Sequence, residues 1–162
     1  MKPRDVRVFD YVNHPYDQVR VALTEHGLEV FRNATKVAAS RAQSVASELR
    51  VNIGGIEVGT DIAIEIRKVE ERPGAGKSPP VTRLELAWEA AKLPRLFPLM
   101  EAELSVYPLT ATETQLDFSG HYEPPLGAVG SAIDALAGNR IAEASVHRFL
   151  TDVAAYLRTV LA

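Results

Sequence analysis

Cysteine is absent from the 162 residues, which excludes disulfides, thiol nucleophiles and thiolate metal sites and leaves the fold to rest on packing. An excess of positive charge is missing too. Lys and Arg number 18 against 21 Asp and Glu, a formal net charge of -3, and the basic residues are scattered, so the footprint of a nucleic-acid binder is not there. No apolar run approaches the length of a membrane span, and Met1 to Asp10 mixes charges with β-branched residues where a signal peptide has an apolar core. The expectation is a cytoplasmic protein with no nucleic-acid partner and no integral membrane association. The sequon Asn33-Ala34-Thr35 is read as chance.

What is present is ordinary for a globular chain: 46% apolar and 24% charged residues. A chain of this length buries roughly two thirds of its unfolded surface in one core, so residues 1–162 are expected to form a single domain. Strand and helix periodicities both occur, which makes the class α+β.

Asp5 to Val12 reads as a first strand, turning at Asn13-His14-Pro15 into a helix of about three turns that carries Val19, Ala22 and Leu23 and ends at Gly27. From Leu28 to Gln43 the pattern weakens: Leu28, Val30 and Phe31 fit either a brief helix or a strand, and the Ala/Ser-rich stretch to Ala42 supports neither. Strict alternation then begins, with Val45, Ser47, Leu49, Val51 and Ile53 on one side, and Gly54-Gly55 closes that strand as a hairpin turn. The next strand, Ile56 to Glu71, turns Ile62, Ile64 and Ile66 inward, and the loop Pro73 to Pro80 follows.

Three more strands alternate in the same way. Val81 to Ala90 has Leu84, Leu86 and Trp88 inward, Glu101 to Tyr107 has Ala102, Leu104 and Val106, and Glu113 to Tyr122 has Leu116, Phe118, Gly120 and Tyr122. Arg83, Glu85, Glu89, Glu101, Glu103, Asp117 and His121 take the opposite face, the pattern of an antiparallel sheet wet on one side.

From Pro125 onward the apolar residues keep helical spacing but change phase. Val129, Ile133, Leu136 and Ala137 make one stripe, and Ala142, Val146, Phe149, Val153, Leu157 and Val160 make another. Gly138-Asn139 lies at the change, so a break is expected there, followed by a long helix from Arg140 to Leu161 with Arg140, His147, Thr151 and Arg158 on its wet side.

Motifs that carry chemistry are not found. Gly74-Ala75-Gly76-Lys77-Ser78 has the lysine and hydroxyl of a phosphate-binding loop, but Glu71 stands where the first glycine is needed and Pro79-Pro80 where the helix should start. The histidines His14, His26, His121 and His147 have no metal-ligand spacing, and no Gly-x-Ser-x-Gly elbow occurs. Carboxylate pairs such as Glu101 with Glu103 and Glu85 with Glu89 alternate outward, where solvated charge is the simpler reading. No catalytic residue, metal ligand or cofactor is therefore assigned, and a non-enzymatic protein is favoured.

The order of elements, with Asn13-His14-Pro15 opening the first helix, Val51-Asn52-Ile53-Gly54-Gly55, the Trp88 strand followed by Leu96-Phe97-Pro98, and Tyr122-Glu123-Pro124-Pro125-Leu126-Gly127 before the last helices, resembles the START/Bet v 1-like superfamily, also called SRPBCC. The polyketide cyclase and lipid-transport branches are the nearest in character. That resemblance implies a helix-grip fold, in which a curved antiparallel sheet of six to seven strands wraps around a long C-terminal helix and encloses a cavity. It implies in turn binding or carriage of a small hydrophobic or amphipathic ligand, a lipid or polyketide-like molecule, by a monomer or homodimer.

The candidate ligand-binding wall is Ile64, Ile66, Leu84, Leu86, Trp88, Leu104, Val106, Leu116, Phe118 and Tyr122 from the sheet, with Phe149 and Val153 from the helix. Trp88 and Tyr122 each join an apolar body to one hydrogen-bonding group that can orient a ligand. The rivals are a polyketide cyclase or aromatase using Tyr122 with two converging ionisable groups among Asp10, Arg67 and His121, and an interaction module whose core is filled.

Overall fold

The computed structural model describes residues 4–48, 62–90, 99–123 and 132–162. In chain order these form β1 (Arg4–Val12), α1 (Tyr16–Glu48), β2 (Ile62–Arg72), β3 (Val81–Ala90), β4 (Leu99–Thr110), β5 (Glu113–Glu123) and α2 (Ala132–Val160). The strands make one antiparallel sheet in the order β1-β5-β4-β3-β2. Five strands are therefore present among the described residues where six to seven were expected. The proposed strand beginning at Val45 is helical as far as Glu48, and its remainder, with the Gly54-Gly55 hairpin, lies outside the described residues.

Alternation reads the sheet correctly. Leu84, Leu86, Trp88, Ala102, Leu104, Val106, Leu116, Phe118 and Tyr122 are all buried, while Glu85, Glu101, Glu103 and His121 are exposed. Period-2 patterning survives here because one face is dry and the other wet, so a one-residue slip would invert every side chain. At the tip of the β2–β3 hairpin, Ala75 and Ser78 exchange both backbone hydrogen bonds, at 3.1 and 3.0 Å, and Gly76 takes φ 59°. The lysine- and serine-bearing loop is thus an exposed turn and not a phosphate cradle.

The largest departure is α1, which runs 33 residues, about 50 Å, instead of three turns. Gly27 does not end it. A Cβ at Gly27 would meet Ile66 Cδ1 at 3.3 Å, so the glycine lets α1 approach β2 closely while remaining helical. The Ala/Ser stretch that reads as formless is the contact face of this helix: Ala34, Ala38, Ala39 and Ala42 are fully buried or nearly so, and α1 packs along α2. Alanines are the strongest helix formers and permit close helix approach, but they give almost no amphipathic signal.

The C-terminal helix also differs from expectation. α2 is continuous from Ala132 to Val160 through Gly138-Asn139. A mid-helix glycine costs about 1 kcal/mol, less than the burial recovered from Ile141, Ala142, Val146, Phe149 and Leu150 on the far side of it. Within the first apolar stripe, Leu136 is 67% exposed, and Val129 lies outside the described residues. Of the residues assigned to the wet side, Arg140 and His147 are exposed. Arg158 instead pairs with Asp10 at 3.3 Å and donates to the Tyr11 carbonyl, fastening the end of α2 to the edge strand β1.

Both helices therefore cover the apolar face, α2 chiefly over β1 and α1 chiefly over β2. The two run antiparallel. α1 starts beside β5's first residues, where Thr114 Oγ1 donates to the His14 carbonyl at 2.7 Å, and α2 ends beside Asp10 and Tyr11, which pair with Leu116 and Gln115. The sheet is gripped by a helix pair where the sequence suggested one helix.

Candidate functional site

Under the helices the sheet side chains close into a core. Phe149 of α2 sits at its centre, with ring centroids 4.9 Å from Trp88, 5.7 Å from Phe118 and 6.0 Å from Phe31 of α1; Trp88 and Phe118 are 5.8 Å apart. Leu84, Leu86, Leu104, Val106, Leu116 and Val153 complete this cluster, and Ile66 packs partly buried against it. All twelve residues proposed as a ligand wall thus lie in the core or at its margin.

Three of them, Ile64, Trp88 and Tyr122, also line a hollow of about 560 Å³ at one end of the sheet. Here β2 and β4 begin and β3 and β5 end. Ala63, Glu65, Arg67, Ala87, Met100, Glu101, His121 and Glu123 contribute as well. Its lining takes residues from both phases of the strands. The volume falls within the range of small-molecule sites.

Its apolar part is Ile64, Trp88, Met100 and Tyr122, all buried. These four are paired in one row across β2, β3, β4 and β5, each directly opposite the next. Met100 was missed from the sequence because β4 begins two residues earlier than its alternation showed.

The polar part lies on the outward face. A β-bulge between Ile66 and Lys68 sets Arg67 in the extra position, where it reaches Glu65 at 3.0 Å and Glu101 at 2.9 Å. His121 pairs with Asp5. The ionisable groups named for a cyclase do not converge in a dry space: the side chains of Arg67 and His121 are 50% and 72% exposed, and Asp10, on the inward phase of β1, is engaged by Arg158. Among the described residues no group of three His, Asp or Glu is arranged to hold a metal ion.

One polar atom of the apolar part stands out. Tyr122 is 1% exposed and its hydroxyl has no hydrogen-bond partner among the described residues. Burial raises the pKa of this phenol above the ordinary 10.0, the carboxylate of Glu143 on α2 adds to the rise, and Arg4 opposes it. The phenol is therefore neutral at physiological pH and able to donate. Below pH 10 the folded and unfolded phenols are both protonated. Above it the unfolded chain ionises first, so stability is lost as pH climbs toward the raised value. Chemical unfolding from pH 9 to 11 is expected to show a falling limb that is shallower in Tyr122→Phe.

No described helix is long and apolar enough to cross a membrane. No protein-family model matches the sequence, and no curated protein matches it. Among solved structures, the chain is similar to the ZhuI aromatase/cyclase from Streptomyces sp. R1128, with 14% identity and a TM-score of 0.50 over 99% of this chain and 96% of that one. A norcoclaurine synthase from Thalictrum flavum, solved with dopamine and hydroxybenzaldehyde, matches at 10% identity and a TM-score of 0.44, over 95% of this chain and 86% of the synthase. At such identities the likeness to the aromatase/cyclase is one of fold, and the α+β architecture, an antiparallel sheet packed on a long C-terminal helix, fits the helix-grip fold.

Proposed function

We propose that this protein binds a small apolar or amphipathic molecule at the strand-end hollow, with the apolar body of the ligand against Ile64, Trp88 and Met100. A fold hosts many functions, so the reading rests on the site. The observation that carries it is a hollow of ligand size, about 560 Å³, whose lining includes the apolar row Ile64, Trp88, Met100 and Tyr122. The enzyme reading has less support, because Arg67 and His121 face water and already hold carboxylates.

Trp88 is the sole tryptophan and lines the hollow, so a ligand bound there is read without interference from a second indole. Titration with the neutral probe N-phenyl-1-naphthylamine is expected to give saturable quenching of Trp88 with transfer to the probe. Native mass spectrometry after incubation with a cell lipid extract is expected to show a small molecule retained at one per chain. Linear, non-saturating quenching together with no retained molecule would refute the proposal.

A further inference from the structure

The two edges of the sheet are built differently. β2 carries a bulge between Ile66 and Lys68 and sets Arg67, Lys68 and Arg72 along its length, the devices that keep an edge from pairing with another chain. β1 has neither a bulge nor a lysine. It pairs with β5 without a register shift from Arg4 to Val12, and among the described residues no strand lies on its other side. Asp5, Arg7 and Phe9 are exposed along it, Phe9 by 51%, and two arginines and two aspartates leave the strand with no net charge.

The backbone of Tyr11 shows which groups face the open side. Its N–H donates to Asp10 Oδ1 at 2.8 Å and its carbonyl accepts from Arg158 Nη2, which turns both away from β5. Hydrogen-bonding direction alternates along an antiparallel strand, so the groups of Asp5, Arg7 and Phe9 point the same way as those of Tyr11. Side chains close the edge at Tyr11 and leave it open from Asp5 to Phe9.

A second copy of β1 fits this edge by charge. Two copies related by a twofold axis normal to the sheet pair antiparallel, and hydrogen-bonded pairs then join one open residue to another. Registers that use Tyr11 are blocked. Asp5 opposite Asp5, or Arg7 opposite Arg7, sets like charges together, which is destabilising. Asp5 opposite the second copy's Arg7 remains: Val6 meets Val6 on the axis, and two Asp–Arg pairs flank it on the outward face. Both groups have bonding capacity to spare. Arg7 uses Nε and Nη2 on Asp117, which leaves Nη1, and its side chain is 62% exposed. Asp5 uses Oδ1 on His121, which leaves Oδ2, and its side chain is 85% exposed. Phe9, whose ring lies 4.8 Å from the Arg7 guanidinium, is diagonal to the incoming Asp5 and shields the ion pair from water.

We propose that β1 pairs with β1 of a second copy of this chain, Asp5 opposite Arg7, to make one antiparallel sheet across two chains with both helix pairs on the same side of it.

The test is the mass of the full chain in solution, by sedimentation equilibrium over rising concentration. Wild type is expected to pass from the mass of one chain to that of two. Asp5→Arg and Arg7→Asp should each weaken self-association about tenfold to thirtyfold, since each sets like charges opposite one another twice, with circular dichroism unchanged. Mixed in equal amounts, the two variants should recover the two-chain mass, because opposite charges then face each other again. Wild type that stays at one chain at every concentration overturns the proposal, as do variants that associate as tightly as wild type or a mixture that does not recover. If either charge variant loses its fold, a cysteine decides instead. The chain has none of its own, and Val6→Cys is expected to oxidise to a disulfide-linked dimer, its Cα atoms about 4.5 Å apart across the axis, whereas Val8→Cys is not. Cross-linking no greater at Val6→Cys than at Val8→Cys, including none in either, overturns the proposal.

Discussion

Phe149→Ala is expected to lower the free energy of unfolding by about 3–5 kcal/mol, the range for removing a buried aromatic ring whose surroundings cannot collapse. The neighbours here are poorly able to fill the gap. Phe149 stands between Trp88, Phe118 and Phe31, at 4.9, 5.7 and 6.0 Å between centroids, and those three rings are held on a sheet and on a second helix. Removing the ring leaves each without a partner on one side, so dispersion is lost along with burial. Urea unfolding followed by Trp88 emission measures both quantities together, because Trp88 is the nearest of the three rings. A drop in the transition midpoint at constant slope, with red-shifted native emission, is the expected outcome. A loss below 1 kcal/mol would mean that the rings do not form one packed unit.

Gly120→Val is expected to cost about 2–3 kcal/mol by the opposite mechanism, overpacking. Gly120 is on the inward face of β5, opposite Val6 of β1 and Ala102 of β4. A Cβ there would lie 2.9 Å from Ala102 Cβ, 3.0 Å from the Glu101 carbonyl oxygen and 3.1 Å from Met100 Sδ. The thioether can swing aside, but the backbone oxygen belongs to the ladder and cannot. Gly120→Ala should lose less, and adding Ala102→Gly to it should restore part of the loss, since one of the three clashes is then removed. Met100 lines the hollow, so any shift of its sulfur should also change the affinity for N-phenyl-1-naphthylamine. Thermal unfolding of the three variants, ranked against wild type, checks the order.

How much of this was legible depends on the kind of signal. Strand alternation was read directly, and β3 has the same bounds in sequence and structure, Val81 to Ala90. The helices were misread at their glycines. Gly27 and Gly138-Asn139 are strong local stop signals, yet each is worth about 1 kcal/mol, and both were outweighed by packing that is invisible along one chain: Ile66 beside Gly27, and the α1–α2 contact across the helices. The site was legible in part. Of the residues that line the hollow, Ile64, Trp88 and Tyr122 were named from the sequence, whereas Met100 was lost to a strand boundary.

The sequence by itself determined which side of β3, β4 and β5 is dry, that no cysteine chemistry is available, and that the class is α+β. These follow from residue type and period, which are properties of a single segment. Tertiary structure decided the length of α1, the continuity of α2, the sharing of the sheet between two helices, and the meeting of four strand ends in a hollow. Periodicity states which way a residue faces but not what stands opposite it. The burial of Asn139 and the unpartnered Tyr122 hydroxyl are facts about what stands opposite, and only the folded chain supplies them.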